Sequence, residues 1–251
     1  MKQIFKTFDK KKINALPQIL FDGRIVVVVT PEQAEAAVDY LLGQDILGVD
    51  TETRPSFTKG LRYEVSLLQV STLDTCFLFR LNYTGITPAI KRLLEDRTVP
   101  KIGLSWHDDL SQLHRRAEFE PGYFVELQDE ADSMGIVDRS LQKLYANFFG
   151  MRICKGQRLS NWEKEELRES QLLYAATDAW TCIHLYREMQ QLKATGDYEL
   201  VVPEPEASKE MEPEASKEVE PEAGKEVELE ACKGMEPVED KVPEVALASV
   251  K

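Results

Sequence analysis

The sequence predicts an α/β fold: a single domain built on a mixed sheet flanked by helices, followed by an acidic C-terminal tail. Three observations carry that expectation. Short β-branched apolar runs alternate with helical patterns, two of those runs are separated by only three residues, and the composition changes abruptly near residue 200. With 251 residues, 43% of them hydrophobic, the chain can bury one sizeable core. The boundaries read as a lead at 1–22, a domain at 23–199 and a tail at 200–251.

Residues 1–22 carry Lys2, Lys6 and Lys10, Lys11 and Lys12, interrupted by Ile4, Phe5, Ile13 and Leu16. They read as an irregular lead packing against the domain, with a basic arm on nucleic acid as the sharper alternative. Residues 24–29 are β-branched and predict a strand. Thr30, Pro31 and Gln33 then supply an N-cap, a proline at the first helical position and the partner of a capping box. A helix to about residue 42 follows, with Ala34, Ala37, Val38, Leu41 and Leu42 inward.

Residues 46–53 run apolar into Asp50-Thr51-Glu52-Thr53 and stop at Arg54-Pro55-Ser56, which predicts a buried strand. Residues 64–71 and 75–79 form the expected hairpin. A short helix at 88–94, a strand at 99–104, a helix at 109–116 and a strand at 124–127 come next. From there the pattern turns helical, at 140–149 and 167–192.

Beyond residue 197 the unit Glu-Pro-Glu-Ala-Ser-Lys-Glu recurs every eight residues, with Pro205, Pro213, Pro221 and Pro237 in phase. Residues 201–251 hold 15 acidic and 6 basic side chains, so −9 of the chain's −13 sits there. With no aromatic residue after Tyr198, this segment reads as a disordered solubilising tail. No apolar run is long enough to span a membrane and the N-terminus lacks a signal-peptide core, so a soluble, cytoplasmic protein without a membrane partner is expected. Four scattered cysteines suggest neither zinc nor disulfides.

In an extended strand, residues i and i+2 share a face, so Asp50 and Glu52 stand side by side. Such a pair calls for a divalent cation or, in the blander reading, is an acidic turn in solvent. Asp109 sits at a helix start, where an acid also complements the helix dipole. Tyr174 and Asp178, at i and i+4, share one face of the last helix, and Ala175, Ala176 and Ala179 allow another element to come close. His107, His114 and His184 are scattered and read as surface or packing residues.

Taken in order, Val49-Asp50-Thr51-Glu52, Leu67-Leu68-Gln69-Val70, Ile102-Gly103 with Asp109, Ser160-Asn161-Trp162 and Tyr174-Ala175-Ala176-Thr177-Asp178 resemble the successive motifs of the DEDD 3′-5′ exonucleases. The similar branch is the tyrosine-bearing one that contains ribonuclease D and the Werner-protein exonuclease domain. The resemblance implies a ribonuclease H-like sheet, and Asp50, Glu52, Asp109 and Asp178 around two divalent ions, Mg²⁺ or Mn²⁺. Of the adjacent acids Asp108 and Asp109, the spacing from Gly103 and to Leu110 favours Asp109.

Tyr174 would orient the attacking water. The implied reaction is hydrolysis of phosphodiester bonds at single-stranded or frayed 3′ ends of DNA or RNA, releasing nucleoside monophosphates. Thr51, Leu68, Trp106, Lys155 and Arg158 are the candidate substrate contacts: Leu68 and Trp106 as wedges or stacking surfaces for terminal bases, with core packing as the alternative for both, and Lys155 and Arg158 as phosphate contacts, with a solvated loop as theirs. A catalytically silent nuclease-fold module binding nucleic acid or protein is the competing expectation.

Overall fold

The computed structural model describes residues 1–202. It opens with β1 (Lys2–Phe5) and a one-turn helix α1 (Lys10–Ile13). β2 (Arg24–Val28) leads into α2 (Pro31–Leu41), where Thr30 and Gln33 close the capping box. Next come β3 (Leu47–Thr53), β4 (Val65–Ser71) and β5 (Thr75–Arg80). They are followed by α3 (Leu81–Thr84), α4 (Pro88–Glu95), β6 (Lys101–Gly103), α5 (Trp106–Leu113) and β7 (Phe124–Glu126). Three helices, α6 (Leu127–Ser133), α7 (Leu141–Phe149) and α8 (Glu169–Thr195), precede a last strand, β8 (Tyr198–Val201).

The central sheet has the order β2-β5-β4-β3-β6-β7. β4 runs antiparallel to both its neighbours, and the other pairs are parallel. Alternation along β3 divides its residues between two layers. Val49 joins the apolar layer of α2, α4 and α5, while Gly48, Asp50 and Glu52 point to the opposite face, which α8 covers. Burying Leu67, Cys76 and Leu78 under Ala175, Ala176 and Trp180 seats that helix on the sheet.

Three expectations are corrected. The lead is not irregular at its start: β1 pairs in parallel with β8, Lys2 opposite Tyr198, and Asn147 clamps the pair by accepting from the Phe5 N–H and donating to its carbonyl, at 2.9 and 2.7 Å. Ile4, fully buried among residues of α6, α7 and α8, supplies the apolar anchor that the lysines obscured. The chain does not stay helical to the end of the domain, because β8 follows α8, and Leu200 and Val201 belong to the fold rather than to the tail. The helix expected from residue 109 begins at Trp106. The expected disordered repeat otherwise lies outside the described residues. Among those residues no helix is long and apolar enough to cross a membrane.

Candidate active site

The site begins with a missing side chain. A Cβ on Gly48 would stand 1.9 Å from the carbonyl oxygen of Ala179, so only glycine lets the backbone of α8 settle against β3. Fully buried Ala175, Ala176 and Ala179 flatten the facing surface of the helix. The approach brings Asp178 against Asp50 and Glu52, and one carboxylate oxygen from each lies within 4.8 Å of the others.

Three anions so close, with Glu52 and Asp178 buried, raise one another's proton affinity. Burial lifts the Asp50 carboxyl well above its ordinary range, Asp178 and Asp109 lift it further, and the Thr51 N–H pulls it back. Burial likewise raises Glu52, helped by Asp50, Asp178 and Asp109 and opposed by Arg158. Asp178 is pushed by burial up to about 7, against the neighbouring Tyr174 hydroxyl and the Lys155 ammonium. Asp178 Oδ1 is buried without a hydrogen-bond partner. Hard oxygen donors at this spacing, one of them orphaned, fit a divalent cation such as Mg²⁺ or Mn²⁺.

Asp109 arrives from the other side of the sheet. It accepts the Thr51 hydroxyl at 2.6 Å, and burial raises its carboxyl to about 6 despite that bond, while Asp108 and Glu126 add to the rise. Its neighbour Asp108 is exposed. Tyr174 stands one helical turn before Asp178, with its ring 6.0 Å from that of fully buried Trp162. Burial, then Asp178, Glu52 and Asp50, hold its phenol protonated far above the usual range.

The other sequence candidates divide. Lys155 and Arg158 line a cleft of about 270 Å³ together with Asp50, Tyr174 and Asp178. Thr51 spends its hydroxyl on Asp109. Leu68, opposite Thr51 in register, is fully buried in the core. Trp106 is buried over Gly103, its ring edge-on to Phe124 at 4.7 Å. Neither Leu68 nor Trp106 lines the cleft.

Two residues were missed. Arg139, at the mouth of α7, adds a third cation to the cleft. Glu126 anchors the start of α5: its carboxylate accepts the N–H groups of Ser105 and Trp106 at 3.0 and 2.7 Å, and that of Gln128 at 3.0 Å. Ser105, at φ 69°, is the single non-glycine residue with positive φ among the described residues, and Gln128 also donates to its hydroxyl at 3.0 Å. A strained N-cap held by a carboxylate sets where Asp109 points. No local pattern signals this, because Glu126 looks like any acid at the end of a strand.

A family described as 3′-5′ exonuclease matches residues 25–193. The bifunctional 3′-5′ exonuclease/ATP-dependent helicase WRN of Mus musculus is 32% identical over 157 residues, which is 60% of this chain and 11% of that protein. A 3′-5′ exonuclease of Arabidopsis thaliana is 28% identical over 212 residues, 75% of this chain and 72% of that one. Trypanosoma brucei RNase D, solved in complex with RNA U12, shares the fold with a TM-score of 0.58 at 22% identity, over 67% of this chain and 63% of that one.

Proposed function

The chain belongs to the 3′-5′ exonuclease family, and on that premise we propose that it removes nucleotides from the 3′ ends of single-stranded or frayed nucleic acid through a two-metal site. The observation that carries the reading is the convergence of Asp50, Glu52 and Asp178 from a strand and a helix, with a buried Asp178 oxygen left unpartnered. A module that only bound nucleic acid or protein would gain nothing from burying three carboxylates together.

Asp50, Glu52 and Asp178 would hold one Mg²⁺ or Mn²⁺, and Asp50 with Asp109 a second. Bound there, the ions supply neutralisation of phosphoryl charge and a water of lowered pKa. The chain's own residues do the rest. Tyr174, one turn before Asp178 on α8, orients the attacking water through its phenol oxygen. Arg139, Lys155 and Arg158 on the facing wall of the cleft receive the phosphates. Thr51 and Glu126 fix Asp109. Phosphate contacts of this kind do not read the ribose 2′-hydroxyl, so DNA and RNA both enter the proposal, as does the reducing cytoplasm that the free thiols of Cys76, Cys154 and Cys182 suit.

A 5′-labelled oligonucleotide, DNA and RNA in parallel, tests the reading. With Mg²⁺ or Mn²⁺ it should shorten one nucleotide at a time from the 3′ end, and chelator should stop it. Intact substrate on both nucleic acids with both metals would overturn the assignment.

A further inference from the structure

Apart from the terminal Met1, the two most exposed large apolar side chains among the described residues are Phe57, at 86%, and Leu159, at 67%. Both belong to segments that issue from the carboxylate cleft. Phe57 lies in residues 54–64, the connection that leaves β3 immediately after Glu52 and returns as β4. Leu159 follows Arg158, which lines the cleft.

The two segments are tied together and to the body of the protein. Arg54 Nη1 meets Glu163 Oε2 at 3.1 Å, and its guanidinium lies 4.5 Å over the Tyr63 ring, so one side chain braces both lips. Buried Arg80 donates to the carbonyls of Lys164 and Glu165, and Arg116 reaches Glu64 at 3.5 Å. Within the first lip a tight turn, with Ser56 and Thr58 bonded to each other and the Leu61 N–H on the Thr58 carbonyl at 3.2 Å, holds Phe57 outward.

Charge completes the picture. The described part of the chain is net negative, yet residues 54–64 carry Arg54, Lys59 and Arg62 against Glu64 alone. Lys59 and Arg62 are exposed and make no ion pair among the described residues. The facing lip carries Lys155 and Arg158 beside Leu159. Apolar surface presented to solvent beside cationic side chains is what a polynucleotide needs, a face for its bases and partners for its phosphates.

We infer that residues 54–64, with Phe57 as the stacking platform and Lys59 and Arg62 as phosphate contacts, form an outer grip for the single strand that feeds the cleft. Its occupant is the stretch of single-stranded polynucleotide upstream of the 3′-terminal nucleotide, stacked through any base and therefore held without sequence preference. The inference rests on the exonuclease reading, and it adds a dependence on substrate length: a strand long enough to reach the grip is held, and a dinucleotide is not.

The test compares a single strand of about twelve nucleotides, within the span of one such binding groove, with a dinucleotide, on the full chain and on Phe57→Ala and Lys59→Gln/Arg62→Gln. For Phe57→Ala, kcat/KM on the long strand relative to the dinucleotide should fall about tenfold, through KM, as expected for loss of one base-aromatic stack. For the double variant, the slope of log Kd against log salt for the long strand should drop by about 1.4, the contribution of two phosphate contacts to a single strand.

If the unaltered protein cuts neither substrate, the exonuclease reading fails and takes the grip with it. If it cuts both, and Phe57→Ala leaves the ratio unchanged or lowers both substrates equally through kcat, the grip is wrong and the exonuclease reading stands.

Discussion

Two buried charged sites lie on adjacent strands and follow opposite rules. Lys101, at the start of β6 opposite Leu47, is almost wholly buried, and its ammonium donates to the carbonyls of Asp96 and Val99 at 2.8 and 2.9 Å with the Asp96 carboxylate 3.7 Å away. Its own loop satisfies it. A few residues along β3, Asp50 and Glu52 meet Asp178 in a cluster whose repulsion Lys155 and Arg158 offset only in part, with one oxygen orphaned. Folding alone explains the first site, because a buried charge survives when it is bonded on every side. The second is costly to the fold and is kept for something that arrives later.

The sharpest way to break that contrast is to neutralise one member of each site. Asp50→Asn should lower nuclease turnover by more than the ~100-fold that loss of a supporting contact costs a metal site. The same variant should leave the metal-free melting temperature equal or raise it, since one of three repelling charges is gone. Oligonucleotide laddering and a thermal melt in chelator read the two halves. A clear fall in the chelated melting temperature would make Asp50 a structural residue and erase the distinction from Lys101.

Glu126 refines the comparison, since it is a half-buried acid used as a brace for the metal side. Glu126→Gln places an amide donor against the N–H groups of Ser105 and Trp106, so α5 should shift and Asp109 with it. Activity should fall about 10- to 100-fold, with a parallel weakening of Mn²⁺ affinity by calorimetry. If Mn²⁺ affinity is unchanged while activity falls, the brace acts on substrate and not on Asp109.

How much of this was legible in the chain follows from the range of each interaction. The capping box of α2 and the hairpin of β4 and β5 sit within a few residues, so short windows carry them. Asp50, Glu52, Tyr174 and Asp178 were recognisable because residue types at i, i+2 and i, i+4 declare a shared face, and motif order supplied the rest. The pairing of β1 with β8 joins the two ends of the described chain and depends on one buried isoleucine amid lysines. Leu68 and Trp106 stay ambiguous in the sequence between base contact and core packing, because apolar residues near acids look alike whether they face a cleft or a core. Ser105 gave no sign of its left-handed backbone, which arises only once Glu126 is folded beneath it.

Lys101→Met tests the other side of the contrast and should leave the site's chemistry alone. Removing the ammonium strands two buried carbonyls, at about 1–3 kcal/mol for each unsatisfied group. For a domain of this size each kcal/mol lowers the melting temperature by about 2–4 °C, so a loss of several degrees is expected, with turnover per folded molecule and metal requirement retained. A variant as stable as the parent would mean that burial, not the bonding around Lys101, dominates at that site.

The pH dependence is the effect most specific to the acidic cluster, and its sign follows from the protonation of Asp109 and Asp178. Both carboxyls are raised on folding, to about 6 and about 7, above an unfolded value near 3.9. Below the unfolded value both states are protonated and the groups contribute no penalty. As pH rises, the unfolded chain releases its protons first and the folded protein must later ionise carboxyls that its burial disfavours. Stability of the metal-free protein should therefore decline from about pH 4 to about pH 7 through these groups. Thermal melts in chelator across that range should show the decline, and saturating Mg²⁺ should flatten it by supplying the missing positive charge. Asp178→Asn should flatten it without metal, whereas Lys101→Met should shift the whole curve down and leave its slope unchanged. A slope that survived Asp178→Asn intact would place the titration elsewhere and remove the electrostatic cost on which the contrast between the two buried sites depends.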